Sequence, residues 1–121
     1  MALSTGITHT LTVTVTPDMS PEHLGDIVVL SPPRMIGLME TASTQAVQPY
    51  LEEAGQTTVG THVDVSHESA AREGEEVVVE TELVAISGPR LTFRVEARVG
   101  DRIIGRGTHR RHVIDRSRFS R

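Results

Sequence analysis

Residues 8–16 alternate strictly, with Leu11, Val13 and Val15 on one face and Thr10, Thr12 and Thr14 on the other. A two-residue period of this kind predicts a strand with one buried face, and Pro17 ends it. A loop follows through Asp26, then a short apolar run at residues 27–30. The period then changes. Over residues 33–50, Met35, Leu38, Met39, Ala42 and Ala46 fall on one helical stripe, with Thr41, Thr44, Gln45 and Gln48 opposite. Pro33 fits the first turn, where its missing N–H is harmless, and Glu52-Glu53-Ala54-Gly55 closes the helix. Four further strands are expected. The first covers residues 59–67, with Val59, Thr61, Val63, Val65 and His67 in one phase. The second covers 76–86, and the third 91–99, with Leu91, Phe93, Val95, Ala97 and Val99 inward. The last runs from 102 to about 114, entered through a tight turn at Gly100-Asp101. Residues 116–121 read as a loose basic tail.

The order is thus strand, helix, then four consecutive strands. One long helix against a long antiparallel sheet implies an α+β fold with the sheet wrapped around the helix, in a single domain over residues 1–121. Such a sheet leaves two open edges, and pairing of edges across a two-fold axis is the usual remedy, so a homodimer or higher homo-oligomer is expected.

Composition narrows the function classes. With 121 residues and only 2% aromatic, the core must be built from Val, Ile, Leu, Met and Ala, which strengthens the expectation of an oligomer. The absence of cysteine excludes disulfides and thiolate metal sites. A net charge of −4 argues against general nucleic-acid binding. No apolar run approaches the length of a membrane span and the N-terminus lacks a signal pattern, so no membrane association and a cytoplasmic location are expected.

Glu40 is the residue that the helix pattern does not explain. It stands at the edge of the apolar stripe, near Ile36 and Val47 in angle. One reading is a boundary carboxylate that reaches out to water; the other is a site residue that activates water or attacks a carbonyl directly. His67, in phase with Val63 and Val65, is either a structural histidine or an acid–base partner for Glu40. Gly60 either permits a bulge or close packing, or offers its N–H to a developing oxyanion. Arginines at 90, 94, 98, 102, 106 and 110 recur every four residues. They read as a solvated sheet face, with Glu80 and Glu82 nearby, more than as contacts to phosphate. His109 and His112 lack a third ligand at metal-site spacing, so a metal site is rejected.

The segments V-V-L-S-P-P-R-M-I-G-L-M-E, V-G-T-H-V-D-V-S-H and G-T-H-R-R-H-V-I-D together resemble the fluoroacetyl-CoA thioesterase-like family of hot-dog proteins. The resemblance implies a hot-dog fold and thioester hydrolysis with coenzyme A thioesters as substrates and no cofactor. It implies catalytic roles for Glu40 and His67, a carbonyl-facing backbone N–H at Gly60, and a ligand-facing role for Arg111. The family's hydroxyl residue eight positions before the glutamate is Pro32 here, which supplies neither nucleophile nor donor; Ser31 is the adjacent candidate. The stretch Leu24-Gly25-Asp26-Ile27 has no aromatic residue to match the lid of the family member that selects fluoroacetate, so fluoroacetate specificity is not expected. A non-catalytic acyl-CoA-binding protein is the alternative favoured by Pro32. A second alternative comes from D-M-S-P-E-H, which loosely resembles the D-x-N-P-x-H signature of hot-dog enoyl-CoA hydratases and would place Asp18 and His23 at the site.

Overall fold

The computed structural model describes residues 3–119. Strand β1 (Thr8–Thr14) precedes helix α1 (Pro32–Val47), and four strands follow: β2 (Gln56–His67), β3 (Glu76–Ser87), β4 (Arg90–Val99) and β5 (Arg102–Asp115). The strands form one antiparallel sheet in the order β1-β3-β4-β5-β2. The sheet curls around α1 in the hot-dog arrangement expected of the sequence.

Helix α1 starts one residue earlier than its proline pattern implies, because Ser31 is the N-cap. Its Oγ accepts from the Arg34 backbone N–H at 3.3 Å, and Pro32 and Pro33 occupy the first turn. The helix gives way to a tight 3-10 turn at Gln48–Tyr50, where Pro49 lacks the N–H that would continue it. Its buried residues include Met35, Met39, Ala42 and Ala46 from the predicted stripe. Ser43 is also buried, which the stripe did not include. Its hydroxyl bonds the Met39 carbonyl and the Thr81 hydroxyl of β3, each at 2.9 Å, so no buried polar group is left unpaired there. Leu83, Leu91, Phe93, Val95 and Ile104 close the core from the sheet.

Two expectations need correction, and the apolar run at 27–30 forms no regular element. It makes one isolated bridge, Val29 with Arg72, and buries Leu30. The single phase assigned to residues 59–67 is broken by a bulge: Gly60 pairs with Arg111 and His62 with Arg110, leaving Thr61 as the extra residue. Val59 therefore lies on the opposite face from Val63, Val65 and His67. The tail is not wholly loose: Arg116–Arg118 form a 3-10 turn capped by Asp115, which accepts from Ser117 N–H at 3.0 Å. Residues 120–121 lie outside the described residues.

The convex face carries the arginine row as a charged surface. Arg94 pairs with Glu82, and Arg98 with Glu96 and Glu80 at 3.3 and 3.6 Å. Arg102 and Arg106 are likewise engaged by Glu75 and Glu68. Strand β2 is a sheet edge, and it is unusual in exposing Gly60 to Asp64 without interruption. An ordinary half-buried strand hides every second residue, as β4 does. Among the described residues, no helix is long and apolar enough to cross a membrane.

Candidate active site

Glu40 projects from α1 towards β2 at Gly60. A Cβ at residue 60 would lie 2.9 Å from Glu40 Oε2, 3.3 Å from Arg111 Nη1 and 3.3 Å from His109 Cε1. Glycine thus lets three polar side chains approach the backbone closely. Its backbone conformation is not the cause, because its φ is not positive. The bulge at Thr61 loosens the β2–β5 pairing at this point, and bulges commonly re-aim side chains beside functional sites. A cavity of about 560 Å³ opens here, walled by Gly37, Glu40, Thr41 and Gln45 on the helix and by Gly60 and Arg111 on the sheet.

Arg111 is only 7% exposed. Its Nε donates to Thr58 Oγ1 at 2.7 Å and its Nη2 to the Thr58 carbonyl at 2.9 Å, which locks the guanidinium plane. Nη1 meets His109 Nε2 at 3.1 Å. His109 Nδ1 lies 2.8 Å from the His62 carbonyl oxygen, an acceptor only, so Nδ1 carries the proton. Nε2 then accepts from Arg111, and both ring nitrogens are satisfied in the neutral form. Burial is the main cause holding the His109 pKa below the ordinary imidazole value, and the Arg111 charge pushes the same way; the His62 carbonyl and Glu40 oppose. Burial also lowers the Arg111 pKa, with Glu40 opposing. The group nevertheless stays charged, because an arginine begins so high. The result is an anchored cation facing a carboxylate across an open space.

The predicted site residues fall into two groups. Glu40, Gly60 and Arg111 are brought together. Ser31 and His67 are not brought to them within one protomer. Nine helical residues separate Ser31 from Glu40, about 13 Å along the axis, and seven strand residues separate His67 from Gly60, roughly 20 Å. Ser31 serves as the helix cap. His67 pairs with Gly105, whose missing side chain accommodates Met35, so it shares the concave row. Contrary to the expectation of a core-facing ring, His67 is exposed, since nothing among the described residues covers that end of β2. Asp18 and His23 are also exposed, on 3-10 turns, and neither lines the Glu40 cavity. The Thr16 hydroxyl chiefly, aided by Arg34, keeps the Asp18 carboxyl below its ordinary pKa. Among the described residues no cluster of three or more histidine and carboxylate side chains is placed to hold a metal ion.

Thr58 is absent from the sequence reading, which considers His109 only as a metal ligand. Both are legible in retrospect: His109 shares its strand face with Arg111, and a buried arginine demands acceptors nearby.

The sequence pattern of the fluoroacetyl-CoA-specific thioesterase family (FlK) matches residues 8–117. The fluoroacetyl-CoA thioesterase of Streptantibioticus cattleyicolor is 42% identical over 101 residues, which cover 84% of this chain and 72% of that protein. A solved structure of the fluoroacetyl-CoA thioesterase FlK superposes with a TM-score of 0.91 at 35% identity, covering 98% of this chain and 93% of that one. A thioesterase-superfamily protein of Thermus thermophilus superposes with a TM-score of 0.87 at 28% identity, covering 96% and 87%.

Proposed function

Because this chain belongs to the fluoroacetyl-CoA-specific thioesterase family, we propose that it hydrolyses acyl-CoA thioesters at sites shared between the two protomers of a homodimer. The observation that carries the reading is the convergence of the Glu40 carboxylate, the bare backbone at Gly60 and the buried Arg111 guanidinium on one open cavity.

The exposed edge of β2 supports the dimer. An antiparallel pairing of two β2 strands centred on Asp64 keeps each facing pair on one side of the sheet and sets the Gly60–Thr61 bulge of one protomer opposite the partner's His67. It also covers Val63, which is 39% exposed in the protomer. Glu40 and His67, too far apart within one chain, then meet across the two-fold axis, while Ser31 stays at its helix cap. Glu40 takes a proton from water as the water oxygen attacks the thioester carbonyl carbon. The tetrahedral oxyanion is stabilised by the Gly60 N–H and the nearby guanidinium. As the C–S bond breaks, the partner's His67 delivers a proton to the leaving thiolate, yielding free acid and coenzyme A. Pro32 removes the family's hydroxyl, so no step passes through that position, and Ser31 serves the helix. The absence of an aromatic residue at Leu24-Gly25-Asp26-Ile27 supports a substrate range wider than fluoroacetyl-CoA.

Free-thiol release from a panel of acyl-CoAs, with acetyl- and fluoroacetyl-CoA included, tests hydrolysis and its range together. Binding without thiol release would identify a non-catalytic acyl-CoA-binding protein. Mixed dimers test the shared site. Glu40→Ala and His67→Ala are each expected to be inactive alone, whereas a heterodimer of the two retains one intact site. Failure of the mixture to recover activity, with heterodimers demonstrated, would refute the shared site.

A further inference from the structure

Gly37 lies in the interior of α1, where glycine is a poor helix former, and its φ is not positive. A Cβ added there would meet nothing within 4 Å. No packing contact and no backbone conformation within the protomer therefore calls for glycine, in contrast to Gly60. What Gly37 does is wall the cavity that holds Glu40. Three residues apart on one helix, the two positions are surface neighbours with about 5–6 Å between their Cβ directions. From a carbonyl held beside Glu40, that distance reaches several carbons along an extended acyl chain, past the first ones.

The two ends of the cavity differ in chemistry. Beyond Glu40 towards the helix C-terminus stand the Thr41 hydroxyl and the Gln45 amide, both exposed, with Gln45 Oε1 held 2.9 Å from His9 Nε2. Hydrogen-bonding groups of this kind suit the amides of a pantetheine arm. Towards the N-terminus the helix offers only the bare Gly37 backbone. From this asymmetry the geometry points to Gly37 as the specificity-determining residue that sets acyl size: with the carbonyl at Glu40 and the pantetheine over Thr41 and Gln45, the acyl group lies across Gly37. This rests on the hydrolase reading given above.

Gly37→Ala and Gly37→Leu test it, through kcat/KM across a series of straight-chain acyl-CoAs and the melting temperature of each variant at one protein concentration. Alanine has room and favours the helix, so Gly37→Ala is expected to raise Tm by roughly 2–5 °C. Its kcat/KM is expected to fall progressively with acyl length, reaching roughly tenfold or more for the longest substrate that the wild type accepts. Gly37→Leu moves the cut-off to still shorter chains. A loss uniform across the series, or no loss, overturns the assignment. So does a lowered Tm with a weakened dimer, because Gly37 would then serve close packing between protomers. Wild-type protein that releases thiol from no substrate refutes the hydrolase reading itself, an outcome distinct from any of these.

Discussion

Replacing Gly60 with alanine inserts one methyl group where Glu40, Arg111 and His109 converge. Ordinary van der Waals contact needs about 3.5 Å, so the 2.9 Å approach to Glu40 Oε2 obliges that oxygen to retreat by roughly half an ångström. Arg111 cannot give way, since Thr58 and His109 hold its guanidinium, and His109 is buried at 1% exposure. Glu40 is the end of a flexible side chain and moves at little energetic expense. The fold therefore loses little, within about 1 kcal/mol, partly offset by the reduced backbone freedom of alanine in the unfolded chain. The chemistry loses more: a displacement of an ångström at a reacting group is worth about 10²-fold, so a 10- to 100-fold fall in kcat/KM for thiol release is expected of about half that. Gly107→Ala is the structural counterpart. There a Cβ would lie 2.1 Å from the Asp64 carbonyl oxygen and 2.7 Å from Val65 Cα, backbone atoms of the paired strand that cannot move alone. A destabilisation on the order of 3 kcal/mol is expected, lowering Tm by roughly 10 °C. Both variants are measured by thiol release and thermal unfolding at the same protein concentration. Gly60→Ala with kcat/KM within about twofold of wild type would refute the placement of the reacting carbonyl between Glu40 and Gly60.

Acidification should destabilise the fold through His109. Its native pKa is lowered by burial, so the unfolded chain binds the extra proton as the pH falls through about 6.5, and stability drops below that value. Thermal unfolding between pH 7.5 and 5.5 reads this slope, and His109→Gln, which keeps both a donor and an acceptor, should flatten it; an unchanged slope would sink the assignment. Ser43→Ala strands the Thr81 hydroxyl in the core and should cost about 1–3 kcal/mol. The double variant Ser43→Ala/Thr81→Val should recover part of that loss in chemical denaturation, and simple additivity would argue against the pair.

Much of the candidate site was legible in the sequence, for reasons that belong to particular residues. Glu40 stood out because a carboxylate at the margin of an apolar stripe breaks a 3.6-residue pattern, and the three sequence blocks tied it to Gly60, His67 and Arg111. Ser31 drew attention as a hydroxyl beside Pro32, but its place before two prolines and a helix is equally that of an N-cap, and the Arg34 N–H takes its oxygen. The neutral His109 was hidden because its role depends on the His62 carbonyl and Arg111, partners that local pattern cannot supply.

By itself the amino-acid sequence determined the element order, the α+β class, the buried faces of α1 and β4 and the charged convex face, since each follows from periodicity along a few consecutive residues. The tertiary structure decided what no local period encodes. A single extra residue at Thr61 shifts the phase of β2, so that Val59 and Val63 face opposite ways. Curling of the sheet brings Gly60 and Arg111 to the cavity that Glu40 enters, while chain geometry holds His67 about 20 Å from Gly60. A bulge changes the parity of a strand without changing its hydrophobicity, and the distance between two side chains is set by the packed fold, whatever their separation along the chain.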